Sequence, residues 1–233
     1  MSKSGPYRVD FDKGGDNYRS PPYNYIPRGM ISFSRLEERH IAVAFAVLVA
    51  AFMVFFTLHG GLMTQIPLAL LISVVSVLTG FLLHELMHKY YAQKFGAWAE
   101  FRYSFFGLLL GLFTSFLGLF LAAPGAVYIS GNLTRRENGL VSAAGPLTNT
   151  AFSFVFLAAA VATSSMGGLW TTFFAGVAFL DAWLGVFNMI PVPPLDGSKV
   201  IRWNVKAYVV CLLLPIAAIA SLSLLNLIAL PGL

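Results

Sequence analysis

Five stretches of this chain, roughly residues 40–58, 66–94, 140–163, 169–190 and 207–230, stay predominantly apolar for about twenty residues or more, the length an α-helix needs to cross a hydrocarbon core of about 30 Å. Backbone inside a bilayer has to satisfy its own hydrogen bonds, and runs of this length do so as helices. Only 11% of the residues are charged and 58% are hydrophobic, against roughly 25% charged in an ordinary soluble domain. The expected fold class is therefore an all-α polytopic membrane protein with about five spanning helices. Residues 1–38 read as a flexible N-terminal tail rich in Tyr, Pro and charge, and residues 39–233 as the membrane core. Ser34 and Glu37 have the spacing of a capping box for the first helix. The first apolar run follows nearly forty polar residues and has no small-residue cleavage site behind it, so no removable signal peptide is expected.

A net charge of +5 would raise the question of nucleic acid in a soluble chain. Here all fifteen Lys and Arg fall in four places: seven before the first span, three after the second (Lys89, Lys94, Arg102), Arg135 and Arg136 before the third, and Lys199, Arg202 and Lys206 before the last. Basic residues beside spans gather on the cytoplasmic side, which places the N-terminus there and excludes nucleic acid as a partner. A sixth apolar run, near 104–129, contains Gly107, Gly111 and Gly118 and closes on Pro124-Gly125. The charges on both sides of it belong to one face, so it has to start and finish on that face. The expectation is a re-entrant or broken element, packed against protein or a water-filled cavity.

Cys211 is the only cysteine, which excludes an intrachain disulfide and a four-cysteine zinc site. Any metal has to be held by His, Asp or Glu. The second span contains His84-Glu85-Leu86-Met87-His88. Histidines at i and i+4 share one helix face and can converge on a single zinc, with Glu85 beside them to act on water. Ionisable groups inside a span are costly and mark function. A catalytic zinc takes a third protein ligand and keeps one position open. His40 and His59 stand at the two ends of the first span and read as interfacial residues. Asp196 follows Asn188-Met189-Ile190-Pro191-Val192-Pro193-Pro194-Leu195 at the end of a span that runs in the same direction as the second, so topology brings it to the depth of both histidines. Asp181 is the rival acid, either a ligand, a group supporting one, or a buried acid paired within the bundle.

Three separated pieces resemble the site-2 proteases, a family of intramembrane zinc metalloproteases. They are His84 through His88, Ala144-Gly145-Pro146-Leu147-Thr148-Asn149, which is similar to the family's G-P-x-x-N segment, and Asn188 through Gly197, which is similar to its N-x-x-P-x-x-P-L-D-G segment. Pro124-Gly125-Ala126-Val127 also resembles a segment of archaeal and bacterial members. The resemblance implies that His84, His88 and Asp196 ligate one zinc ion, that Glu85 is the general base and acid, and that Asn188 and Asn149 line the catalytic cavity. It further implies hydrolysis of peptide bonds within or near the transmembrane segments of membrane-protein substrates, in a cell membrane and toward the cytoplasmic side. No insertion resembling a PDZ domain and no nucleotide-binding module stands between these pieces. The competing reading is a metal-binding transporter or scaffold without hydrolysis; against it, the polar intramembrane groups cluster at one depth instead of forming a path across the bilayer.

Overall fold

The computed structural model describes residues 31–121, 123–166 and 168–228, and within them the chain forms eight α-helices, one π-helical turn and a two-stranded sheet. Helix α1 (Arg35–Leu58) begins on Ser34, whose hydroxyl accepts the Glu37 N–H at 3.1 Å. Only that half of the expected capping box forms, because the Glu37 carboxylate is used elsewhere. Helix α2 (Ile66–Val77), a π turn (Leu78–Leu83) and α3 (His84–Lys94) make one rod of 29 residues. Helix α5 (Arg135–Thr163) carries a complete capping box between Thr134 and Glu137, and α6 (Leu169–Asn188) and α8 (Val205–Leu224) complete the set of long helices. All five are long and apolar enough to cross a membrane, as the five runs require, and the protein is a multi-pass membrane protein. Of the tail expected over residues 1–38, residues 1–30 lie outside the described residues, as do the last residues of the final run, and Arg35 onward is already helix α1.

The sixth apolar run resolves into helix α4 (Phe105–Phe116) and strand β2 (Gly125–Ser130), and strand β1 (Trp98–Tyr103) stands immediately before it. The strands pair antiparallel, from Trp98 opposite Ser130 to Tyr103 opposite Gly125, and the Ser104 N–H donates to the Pro124 carbonyl at 2.8 Å. Helix α4 is about 18 Å long, too short to span, and the segment leaves and returns at one place. Its return strand presses close: a Cβ on Gly107 would stand 1.7 Å from the Ala123 carbonyl oxygen, so only glycine fits there. Phe105 and Phe106 point outward, at 64% and 81% exposure, the arrangement of a surface that meets lipid. Strand β1 pairs with a partner more than twenty residues on, a pairing that local pattern does not reveal.

Helices α5 and α6 form the centre. Leu157, Ala160, Ala175 and Ala178 pack together with Leu222 of α8, small residues that let helix backbones approach closely. At the opposite end of the bundle, fully buried Glu37 ties three elements together. One carboxylate oxygen accepts from Lys89 Nζ of α3 at 2.5 Å and the other from the Phe101 N–H of β1 at 2.9 Å. The Lys89 ammonium also sits 4.3 Å from the centre of the Phe33 ring. The first helix, the helix with the paired histidines and the sheet are thereby held in one register.

Candidate metal centre

His84 and His88 lie one turn apart on α3, immediately after the π turn, a departure from α-helical bonding that is frequent at functional sites. Their Nε2 atoms are 2.9 Å apart. The third member arrives from the end of α6: Met189 is fully buried among Ala143, Val200 and Cys211, and the chain then turns through residues 190–195 to Asp196, at the start of the short helix α7 (Gly197–Trp203). Gly197 lets this turn close, since a Cβ there would be 2.2 Å from the Met189 carbonyl oxygen. Asp196 Oδ2 stands 3.0 Å from His88 Nε2 and 3.4 Å from His84 Nε2.

These three buried residues form the one group of His, Cys, Asp or Glu among the described residues whose donor atoms could share a metal, all within 4.8 Å of one another. Zinc with ligand bonds of 2.0–2.2 Å in a tetrahedral array spaces its donors about 3.3 Å apart. The observed 2.9, 3.0 and 3.4 Å, and a donor set of two imidazoles and a carboxylate, fit that ion. The His88 Nδ1–H donates to the Val141 carbonyl of α5 at 2.7 Å, which fixes the tautomer and turns Nε2 toward the group. His84 Nδ1 is buried without a partner.

Helix α5 closes the centre with a gap where a side chain would be. A Cβ on Gly145 would fall 2.4 Å from His88 Nε2 and 2.5 Å from His84 Nε2. The next residue, Pro146, has no N–H to offer the Ser142 carbonyl, and Ser142 lines the adjoining cavity. Gly145 entered the sequence reading only as part of a resembling segment; its role shows when the two helices are packed, and the sequence signal is the small-residue run Ala143-Ala144-Gly145.

A cavity of about 120 Å³ opens on the group, walled by His84, His88, Glu85, Asp196, Asn188 and much of strand β2. Glu85 is partly exposed to it and hydrogen-bonds to no described residue. Asn188 Nδ2 donates back to the Leu184 carbonyl at 3.0 Å, leaving its oxygen for the cavity. Asn149 is placed differently: it is fully buried at the α5–α6 contact, one turn past Gly145, with both carboxamide atoms unpaired. Asp181 is outside the donor group. Its Oδ2 accepts from Thr79 of the π turn at 2.9 Å and its Oδ1 is buried without a partner. His40 accepts from the Tyr103 N–H, and His59 contacts the Phe116 carbonyl, both away from the centre.

Comparison with known proteins finds named relatives, among them these three. The chain is 44% identical over 139 residues to MJ0611 of Methanocaldococcus jannaschii, a match that takes in 59% of this chain and 72% of that one. It is 34% identical over 161 residues to Rip2 of Mycobacterium tuberculosis, covering 60% and 61% of the two chains. It is 32% identical over 157 residues to YwhC of Bacillus subtilis, covering 58% and 70%. All three carry the name "putative zinc metalloprotease". No protein-family model matches the chain, and no solved structure does.

Proposed function

This chain belongs to the site-2 protease family of zinc metalloproteases, and from that premise we propose that it is an intramembrane metalloendopeptidase, hydrolysing peptide bonds within or near the transmembrane segments of other membrane proteins. The observation that carries the reading is the convergence of His84, His88 and Asp196 on one point, beside Glu85 and inside a bundle of five long apolar helices. His84 Nε2, His88 Nε2 and Asp196 Oδ2 would hold the zinc. When bound, that ion makes a water acidic near neutral pH and polarises a peptide carbonyl. The Glu85 carboxylate takes a proton from the attacking water and returns it to the leaving nitrogen. The Asn188 carboxamide oxygen, on the same cavity wall, accepts from a backbone N–H of the substrate and so helps to position it, and Asn149 supports the α5–α6 contact behind Gly145. A substrate helix has to unwind to expose its backbone, and the open edge of β2 along the cavity offers it a row of hydrogen-bonding groups. The distribution of Lys and Arg supports a cytoplasmic N-terminus and a site toward the cytoplasmic side.

The test is zinc content and cleavage of a generic single-span substrate, measured on the same detergent-purified samples of the wild type, Glu85→Ala and Asp196→Ala. About one zinc per chain is expected in the wild type and in Glu85→Ala, with less in Asp196→Ala. Cleavage is expected from the wild type, falling in Glu85→Ala by about 10²–10⁴-fold. Undiminished cleavage by Glu85→Ala would overturn the reading.

A further inference from the structure

Where α5 begins and α7 ends, the catalytic cavity adjoins a second and wider one of about 590 Å³. Ile129, Asn138 and Lys199 belong to the walls of both, so a peptide leaving the metal centre past Ile129 enters this space. Its wall carries three cations, Arg135, Lys199 and Arg202, and no carboxylate. Lys199 leans toward Asp196, with Nζ 3.4 Å from Oδ1. Arg135 and Arg202 form no ion pair with any described residue; the Arg135 guanidinium instead donates to the Arg202 main-chain carbonyl, and both arginines line the same wall without a counter-charge. Converging cations of this kind favour an anion between them, and guanidinium groups match the planar carboxylate best.

We infer that this second cavity is a substrate subsite for carboxylates, and that the enzyme selects membrane segments whose flank on this side carries Asp or Glu. The inference rests on the protease reading above, and the shared wall with the catalytic cavity is what favours a substrate peptide over a lipid headgroup. It also supplies a discrimination. Lys and Arg accumulate beside the cytoplasmic ends of spans, so an ordinary membrane helix, presented in the orientation proposed above, would bring like charge to Arg135 and Arg202 and be disfavoured.

The experiment uses three synthetic single-span peptides that are identical except for four flanking residues, all Asp, all Ser or all Lys. Their binding to Glu85→Ala and their cleavage by the wild type are both measured. We expect the Asp peptide to exceed the Lys peptide about tenfold in affinity and in kcat/KM, with the gap narrowing as ionic strength rises. In Arg135→Gln/Arg202→Gln the three peptides become equivalent, and Arg202→Glu reverses their order, which a merely misfolded variant cannot do. Equal binding of all three peptides by Glu85→Ala, or an Asp preference that survives the double substitution, overturns the subsite. So does a double variant that loses only a dependence on phosphatidylglycerol over phosphatidylcholine vesicles, which assigns the cavity to lipid headgroups. Ordered binding to Glu85→Ala without cleavage of any peptide by the wild type supports the subsite and overturns the protease reading instead.

Discussion

Gly145→Ala is expected to abolish zinc binding and cleavage together while leaving the fold intact. The added methyl would stand 2.4 and 2.5 Å from the two Nε2 atoms, the space a metal bonded to both would need, and well inside van der Waals contact. Helix α5 gains from the change, because alanine is favoured over glycine in a helix interior by about 1 kcal/mol. The two effects therefore separate. Thermal unfolding in detergent should show a loss of no more than about 1–3 kcal/mol, the cost of displacing the two imidazoles, whereas zinc falls below about a tenth of an equivalent per chain and cleavage falls with it, by about three orders of magnitude, on the scale of losing a catalytic group outright. Normal zinc content in Gly145→Ala would mean that α5 yields at this point and that the gap is not a requirement of the centre.

Lys89→Met is expected to produce the largest loss of stability. It leaves the Glu37 carboxylate, wholly buried, with the Phe101 N–H as its remaining partner, and stranding one member of a buried ion pair costs about 3–5 kcal/mol. For a chain of this length that lowers the unfolding midpoint by about 10 °C. Replacing both members, Glu37→Leu with Lys89→Met, should recover part of the loss, since no charge is then stranded and the Phe101 N–H alone lacks an acceptor, at about 1–3 kcal/mol. A double variant less stable than Lys89→Met would show that the pair contributes more than the removal of a stranded charge returns.

Residues that act through local spacing were legible in the sequence. His84 and His88 meet because an α-helix puts i and i+4 on one face, and Asp196 joins them because span direction fixes which chain ends share a depth. The re-entrant character of the 104–129 run followed from charges that had to lie on one face. Other features depend on contacts that no local pattern records. Glu37 read as a capping partner and Lys89 as a marker of topology, yet each is the other's buried counter-ion. Strand β1 stayed hidden because pairing with β2 crosses the whole of α4. The π turn before His84 is a change of hydrogen-bond register rather than of residue type. Asn149 lies behind Gly145 rather than on the cavity wall, a distinction of a single helical turn.

Among the described residues the sheet has two strands, so β2 pairs along one edge and leaves the backbone N–H and C=O groups of the other without a ladder partner among them, beside the cavity that contains the paired histidines. In hydrocarbon such a row is intolerable; the edge has to be wetted or paired. Hydration of the catalytic chamber is thus written into the main chain, and exchanging its polar side chains for apolar ones will not dry it. In the function proposed above, a substrate docked as a strand would satisfy the same row of groups in place of water.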